Sequence, residues 1–200
     1  DFAMIRARVA SLRDALPDGV ALHYAMKANP LPALVTAMAG LVDGLDVASG
    51  GEMMVALESG AKHISFAGPG KRDREIEAAI SAGVTLNVES EGEGRRALDA
   101  AARRGIRPKL ALRVNPDFDL KGSGMRMGGG AKPFGIDAER VPALARTLIA
   151  AGADWRGFHI FAGSQALDAD AIAVTQAQTV ALAARLADEI GATPPLVNLG

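Results

Sequence analysis

The most informative segment of the chain is Val20-Ala21-Leu22-His23-Tyr24-Ala25-Met26-Lys27-Ala28-Asn29-Pro30, in which an apolar, strand-like run ends in a lysine and a proline-containing turn. Parallel α/β barrels place their chemistry at the carboxyl ends of their strands. An ammonium group in apolar surroundings loses solvation, so its pKa falls and the neutral amine can attack an aldehyde. Lysines are more often solvated surface charges, and both interpretations of Lys27 stay open on position alone.

Strand-like and helix-like segments alternate on both sides of this stretch. The segments between the strands place apolar residues at helical spacing, as at Leu31, Leu34, Val35 and Met38. Such alternation predicts βα units around a parallel sheet, whose right-handed crossovers can curl it into a barrel. The predicted strands are 21–27, 44–48, 63–67, 85–88, 109–114, 157–161 and 196–199.

We therefore expect an α/β fold, a TIM-type (β/α)8 barrel that is truncated here to about seven strands. The alternative is an open doubly wound sheet, which usually has a glycine-rich turn after its first strand. Here the first strand ends in Lys-Ala-Asn-Pro instead. A closed barrel needs eight strands, so residues 1–200 are expected to form one incomplete barrel domain of a longer protein.

Composition excludes several other classes of function. The 22 basic and 23 acidic residues nearly cancel, and basic runs stop at two residues, which is not a nucleic-acid footprint. The absence of cysteine excludes thiolate catalysis and Cys-ligated metals, and the three histidines lack metal-ligand spacing. No apolar run is long enough to span a membrane and no signal peptide opens the chain, so we expect a cytoplasmic protein.

Three charged residues are candidates for chemistry on such a scaffold. A carboxylate on a buried strand, as predicted for Asp46, needs a charged or hydrogen-bonded partner. Arg113 cannot be neutralised, so it serves either a ligand or a salt bridge to an acid such as Asp46 or Glu89. Glu52 is either a functional acid or an ordinary first-turn glutamate favoured by the helix dipole.

Five segments in this order resemble the fold type III pyridoxal-phosphate enzymes, which include the diaminopimelate, ornithine and arginine decarboxylases and, more distantly, alanine racemase. The lysine strand Tyr-Ala-Met-Lys-Ala-Asn is the first of them, and any single segment is a weak signal. The other four are Gly44-Leu45-Asp46-Val47-Ala48-Ser49-Gly50-Gly51-Glu52, Leu110-Ala111-Leu112-Arg113-Val114-Asn115-Pro116, Lys132-Pro133-Phe134-Gly135-Ile136, and Gly157-Phe158-His159-Ile160-Phe161-Ala162-Gly163-Ser164-Gln165.

The resemblance implies a role for each candidate residue and pyridoxal 5'-phosphate as the cofactor. Lys27 would form the Schiff base, with Asp46 and Glu52 close to it, and Arg113 would face the side of the cofactor's phenolic oxygen. The turn Gly163-Ser164 would present backbone N–H groups and a hydroxyl to the phosphate, and Gly200 would complete that cradle.

The sequence departs from its relatives at the residue that covers the cofactor ring. Where diaminopimelate and ornithine decarboxylases have a stacking histidine, this chain has Phe161, and His159 matches only the first histidine of the diaminopimelate-type pair. An aromatic ring still stacks, but it cannot transfer a proton. Together with the glycine-rich loop 121–130, Phe161 resembles a side branch with exosortase-associated decarboxylases and relatives that act on carrier-protein-bound amino acids.

The resemblance implies a pyridoxal-phosphate-dependent amino-acid decarboxylase, a carboxy-lyase whose substrate is a free or carrier-bound amino acid. Family members form homodimers, with a C-terminal β-domain that is absent here, so residues 1–200 alone are expected to lack full activity. Two alternatives remain open: a catalytically silent homologue that binds partners, and an alanine-racemase-like isomerase. No nucleic acid, membrane or metal is expected to take part.

Overall fold

The computed structural model describes residues 1–118, 125–126, 133–164 and 167–200. These residues form two compact units, Asp1–Ala67 and Gly68–Gly200. The predicted loop 121–130 is described only at 125–126, and Lys132 and Gln165 also lie outside the described residues.

The first unit carries three parallel strands, each preceded by a helix. Its first helix is capped by Asp1, whose carboxylate accepts a hydrogen bond from the Ala3 N–H at 2.8 Å. The register places Ala25, Asp46 and Ser65 side by side on the three strands. The elements are α1 (Phe2–Ala15), β1 (His23–Ala25), α2 (Pro32–Ala39), β2 (Gly44–Val47), α3 (Gly50–Glu58) and β3 (Ile64–Phe66).

The alternation of side chains along β2 separates an apolar face from a polar face. Leu45 and Val47 are buried, whereas Asp46 between them points to the opposite face of the sheet. Met53 and Ala56 on α3 are also buried and belong to the same core. The polar face of the sheet is therefore the one that can carry chemistry.

The second unit continues the alternation of helices and strands. Its elements are α4 (Asp73–Ser81), β4 (Thr85–Val88), α5 (Glu91–Arg104), β5 (Lys109–Asn115), β6 (Met125–Arg126), β7 (Ile136–Asp137), α6 (Val141–Ala150), β8 (Asp154–Ile160), β9 (Gly163–Ser164), α7 (Ala169–Ile190) and β10 (Val197–Asn198). Four of these strands are parallel and lie in the order β4, β5, β8 and β10. The short β7 pairs with the end of β5, and β6 pairs antiparallel with β9.

A register shift interrupts the pairing of β5 with β8. Leu110 pairs with Trp155, but the next residue, Ala111, pairs with Gly157, so Arg156 is an extra residue on β8. Beyond this bulge Arg113 pairs with His159. Gly157, at φ +98°, is required there because a Cβ atom would fall 2.0 Å from the Leu196 carbonyl oxygen.

The predicted α/β class, with parallel strands alternating with helices, is confirmed, and each of the seven predicted strands has an observed counterpart. Two boundaries were wrong. The first strand is short, since residues Met26–Ala28 form a 3-10 turn, and the sixth begins at Asp154 rather than at 157. Between β5 and α6, the described residues include the two-residue strands β6 and β7.

Candidate functional site

Lys27 lies at the carboxyl end of β1, in the turn that begins with the buried Met26. The hydroxyl of Tyr24 donates a hydrogen bond to the Asn29 carbonyl at 2.9 Å, and the Asn29 side chain accepts one from the Leu31 N–H at 3.1 Å. These two hydrogen bonds at Asn29 thus fix the turn that carries Lys27. The side chain of Lys27 is exposed, so the apolar surroundings expected for it are not observed within this unit.

Asp46 has the hydrogen-bonded partner that its position on a strand requires. Its Oδ1 lies 3.0 Å from Nδ1 of His23 on the neighbouring strand, and the two side chains are 23% and 18% exposed. This hydrogen bond is the main cause that raises the pKa of His23 above its usual value, against the opposing effect of burial. The ring of His23 covers Gly44, where a Cβ atom would fall 2.6 Å from Nε2.

Glu52 caps the helix on which it stands. It is the third residue of α3, its N–H donates to Ser49 Oγ at 3.2 Å, and its Oε2 accepts a hydrogen bond from the Ala48 N–H at 2.6 Å. This reciprocal arrangement satisfies N–H groups that have no partner within the helix. The alternative of a first-turn glutamate is therefore observed, and a role near Lys27 stays a prediction.

Arg113 forms a buried ion pair with Glu89. Its Nη1 lies 3.2 Å from Glu89 Oε1, and the two side chains are 9% and 1% exposed. Glu89 also accepts hydrogen bonds from the N–H groups of Gly68 and Gly135, and the guanidinium lies 4.9 Å from the ring centroid of Phe134. The salt bridge that was one of the two alternatives for Arg113 is thus present. Its predicted contact with the phenolic-oxygen side of the cofactor stays a prediction.

His159 belongs to a row of polar residues across the second unit. It is buried, and the register places it between Arg113 on β5 and Asn198 on β10. Parallel neighbours in register present their side chains on the same face of the sheet. The row therefore brings two predicted site residues, Arg113 and His159, together.

The ring of Phe161 packs on the backbone of Gly200. A Cβ atom at Gly200, whose φ is +98°, would fall 2.0 Å from Phe161 Cδ2. The Gly200 N–H donates to the side chain of Asn198 at 2.8 Å, so it would have to leave this bond to hold a phosphate. Gly163 is buried in β9 beside Ser164, whose side chain lies outside the described parts.

Sequence reasoning missed a second buried ion pair. Lys71 Nζ donates to the carbonyls of Gly68 and Asn87 and to Glu93 Oε1, at 2.6, 2.8 and 2.7 Å, and the Lys71 and Glu93 side chains are each 1% exposed. Burial raises the pKa of Glu93, and the charge of Lys71 opposes that shift. The pattern Ser90-Glu91-Gly92-Glu93 indicates a helix cap, which masks the second role of Glu93.

Two further properties of the described residues bear on the class of site. Among them, no three His, Asp or Glu side chains come close enough to hold a metal ion. In the same part of the chain, every helix is too short or too polar to cross a membrane.

Comparison with known proteins identifies the family. The family model described as the pyridoxal-binding domain of pyridoxal-dependent decarboxylases matches residues 2–200. The chain therefore belongs to this family of lyases, whose cofactor is pyridoxal 5'-phosphate.

The names of individual relatives give different substrates. The chain is 35% identical over 171 residues to diaminopimelate decarboxylase of Aquifex aeolicus, covering 82% of this chain and 40% of that protein. It is 28% identical over 204 residues to the L-glutamyl-[BtrI acyl-carrier protein] decarboxylase of Niallia circulans, covering 100% of this chain and 48% of that protein. The chain thus spans about half the length of the curated relatives it matches.

The similarity in structure confirms the barrel class that the sequence predicts. Diaminopimelate decarboxylase of Helicobacter pylori, solved with L-lysine, matches with a TM-score of 0.83 at 30% identity, over 96% of this chain and 50% of that chain.

The residues present fit the family's cofactor. Lys27 offers an exposed amine at a strand end, and the close approach of Phe161 to Gly200 needs a residue without a Cβ atom. Lys27, Asp46 and Glu52 lie in the first unit, and Arg113, His159, Phe161, Gly163 and Gly200 in the second.

Proposed function

We propose that the protein is a pyridoxal-phosphate-dependent decarboxylase of an amino acid and that Lys27 holds the cofactor as a Schiff base. The observation that carries the proposal is the position of Lys27: an exposed amine at the carboxyl end of β1, on a turn fixed by Tyr24 and Asn29, in a chain of this family. When bound, the cofactor supplies an electron sink for the bond broken at Cα.

The other residues of the chain would bind and orient. Asp46 and Glu52 would lie near the lysine amine, and Glu52 would do so while it caps α3. Arg113 would meet the phenolic-oxygen side with its charge balanced by Glu89. Phe161 would cover one ring face, and Gly163, Ser164 and Gly200 would supply the phosphate cradle through backbone N–H groups and a hydroxyl.

The substrate is proposed to be a free diaminopimelate- or ornithine-like amino acid or one that is bound to a carrier protein. Phe161 supports the carrier-bound alternative, because together with the loop 121–130 it resembles the branch whose members act on carrier-protein-bound amino acids. The match over the full chain to a decarboxylase of a carrier-bound glutamyl group also supports it. We also propose that the full-length protein forms a homodimer and is cytoplasmic.

Reductive labelling tests the cofactor assignment. The protein at its natural length is incubated with pyridoxal phosphate, reduced with borohydride and digested with trypsin. Trypsin cuts after an unmodified Lys27 and releases 14–27, whereas a pyridoxyl group blocks that cut and yields 14–62. We expect the labelled peptide 14–62.

Two variants serve as matched controls for the labelling. Lys27→Arg keeps the charge and the cut but removes the amine, so the label should disappear. Lys62→Arg changes an exposed lysine next to β3, keeps its own cut, and should leave the label at Lys27. A folded protein without label at Lys27 would contradict the proposal and leave the silent homologue as the better description.

Substrate assays separate the remaining alternatives. Release of CO₂ is measured with free diaminopimelate, free ornithine and a glutamyl-loaded carrier protein, and inversion at Cα is followed in parallel. CO₂ from any of them supports the decarboxylase, and the best substrate decides between free and carrier-bound forms. Inversion without CO₂ would identify an isomerase instead.

A further inference from the structure

His23, Gly44 and Asp46 form a small polar cluster on β1 and β2. Gly44 lies directly beside His23 in the register, and Ala25 lies beside Asp46. Because Gly44 has no side chain, the imidazole covers it and its Nδ1 reaches Asp46 Oδ1 at 3.0 Å. An alanine at residue 44 would collide with the ring, since its Cβ atom would lie 2.6 Å from Nε2.

The charges around His23 favour its protonated form. Asp46 on β2 is the nearest acid, and Asp43, which precedes β2, adds a weaker attraction. Asp43 is itself paired with Arg13 of α1 at 3.0 Å and accepts a hydrogen bond from the Leu22 N–H at 2.7 Å. Lys62 and His63, which precede β3, are further ionisable residues at this end of the sheet, and both are exposed.

We propose that His23 is a positioning residue, which donates to Asp46 as an imidazolium and thereby keeps that carboxylate ionised and in one orientation beside the lysine strand. Asp46 lies in register with Ala25, the last residue of β1, and Lys27 follows two residues later in the chain. This inference rests on the function proposed above, since it assigns Asp46 to the site that holds the cofactor.

The geometry indicates a purpose beyond packing. Three strand positions that could hold apolar side chains hold a histidine, a glycine and an aspartate instead. The glycine also weakens the strand in which it lies. A charge-assisted hydrogen bond between partly buried groups is stronger than a neutral one and holds its partners in place. The raised pKa of His23 agrees with this arrangement.

The first test needs no cofactor. The imidazole signals are titrated by NMR in the cofactor-free protein, and His23→Gln assigns the resonance of His23. We expect His23 to titrate above the ordinary histidine value of about 6.5, and to lose that shift in Asp46→Asn. A titration of His23 that is the same in wild type and Asp46→Asn would overturn the inference.

A second variant tests the space that Gly44 provides. Gly44→Ala should displace the imidazole and return its titration toward the ordinary value, although the variant keeps every ionisable group. Gly40→Ala is the matched control, because its Cβ atom would meet only the Ala37 carbonyl oxygen at an ordinary 3.7 Å. An unchanged His23 titration in Gly44→Ala would contradict the role given to the glycine.

The third measurement separates this inference from the proposed function. In the loaded enzyme, His23→Gln should lower kcat/KM by about tenfold to a hundredfold through misplacement of Asp46, with the label still on Lys27. It should also remove from the pH profile the ionisation assigned to His23, whereas His63→Gln should leave that profile unchanged. A labelled enzyme whose kinetics and pH profile do not respond to His23→Gln refutes the positioning role alone. Loss of the label in wild type refutes the proposed function, while the NMR titrations still decide whether the pair exists.

Discussion

The phenyl ring of Phe161 occupies the place that a Cβ atom of residue 200 would take, 2.0 Å from the nearest ring carbon. The side chain of Phe161, just after β8, is thus positioned by the backbone of Gly200, just after β10. Any side chain at residue 200 would have to move the ring, and the ring is the proposed cover for the cofactor.

A double-mutant cycle tests this contact. In the protein at its natural length, Gly200→Ala should weaken pyridoxal phosphate binding in wild type and do so much less in a Phe161→Ala background, since the truncated ring leaves room. We expect a coupling of about 1 kcal/mol or more from cofactor titrations of the four proteins.

The control for that cycle separates collision from backbone strain. Gly191 also has a positive φ, +74°, but a Cβ atom there meets nothing within 4 Å. Gly191→Ala should therefore cost about 1–2 kcal/mol of unfolding free energy for the left-handed backbone alone and show no coupling to Phe161. Equal coupling at both glycines would show that the contact with the ring is unimportant.

The ion pair of Glu89 with Arg113 predicts a large effect on stability. Glu89→Ala leaves a buried guanidinium without its counter-charge and should lower the unfolding free energy by about 3–5 kcal/mol in urea denaturation. The control is Glu91→Ala, which breaks an exposed pair with Arg140 and should cost at most about 1 kcal/mol. Similar losses in the two variants would mean that burial does not distinguish these pairs.

The pair of Lys71 with Glu93 predicts a stability that depends on pH. In Lys71→Met the charge that lowers the pKa of Glu93 is lost, so burial raises that pKa further. The folded state then binds a proton that the unfolded state releases above about pH 4.3, and stability falls as the pH rises through the folded pKa.

We therefore expect Lys71→Met to lose more unfolding free energy, relative to wild type, at pH 8 than at pH 5. The double variant Lys71→Met/Glu93→Leu replaces the pair with apolar side chains and should abolish this difference. A single variant that is equally destabilised at both pH values would contradict the assignment of the slope to Glu93.

Phe161 also predicts the shape of the pH profile of catalysis. A phenyl ring cannot exchange a proton, so the wild-type profile should contain no ionisation from the residue that covers the ring face. Phe161→His should add one near the ordinary histidine pKa of about 6.5, whereas Phe161→Tyr should not. The measurement is kcat as a function of pH on the best substrate, and identical profiles for Phe161→His and wild type would argue against a position at the reacting atoms.

The sequence predicted the fold well because its signals are local and periodic. Strand-like runs alternate with helical spacing, and this alternation requires parallel strands whatever the details of the loops. The boundaries were less predictable. The residues that continue β1 in the sequence pattern, up to Lys27, turn away in a 3-10 turn, and the Tyr24–Asn29 hydrogen bond that fixes this turn leaves no periodic trace.

The candidate site was predictable in its residues but not in all their partners. Asp46 was expected to need a partner, yet the choice of His23 depends on the register of two strands and on the open space at Gly44. Arg113 was expected to meet either a ligand or an acid, and the ion pair with Glu89 became visible only in three dimensions. Lys71 and Glu93 are 22 residues apart, and no local pattern connects them.

The extra residue Arg156 in β8 sets which side chains of β5 and β8 lie next to each other on one face of the sheet. Because of this bulge, Arg113 stands beside His159; if the two strands paired without a shift, Arg113 would stand beside Phe158, whose side chain lies on the opposite face. Deletion of Arg156 would join Trp155 to Gly157 and straighten the strand, with His159 still beside Arg113. The pairing therefore tolerates the loss of this one residue, whereas a deletion between Gly157 and His159, where no residue is extra, would change the partner of Arg113.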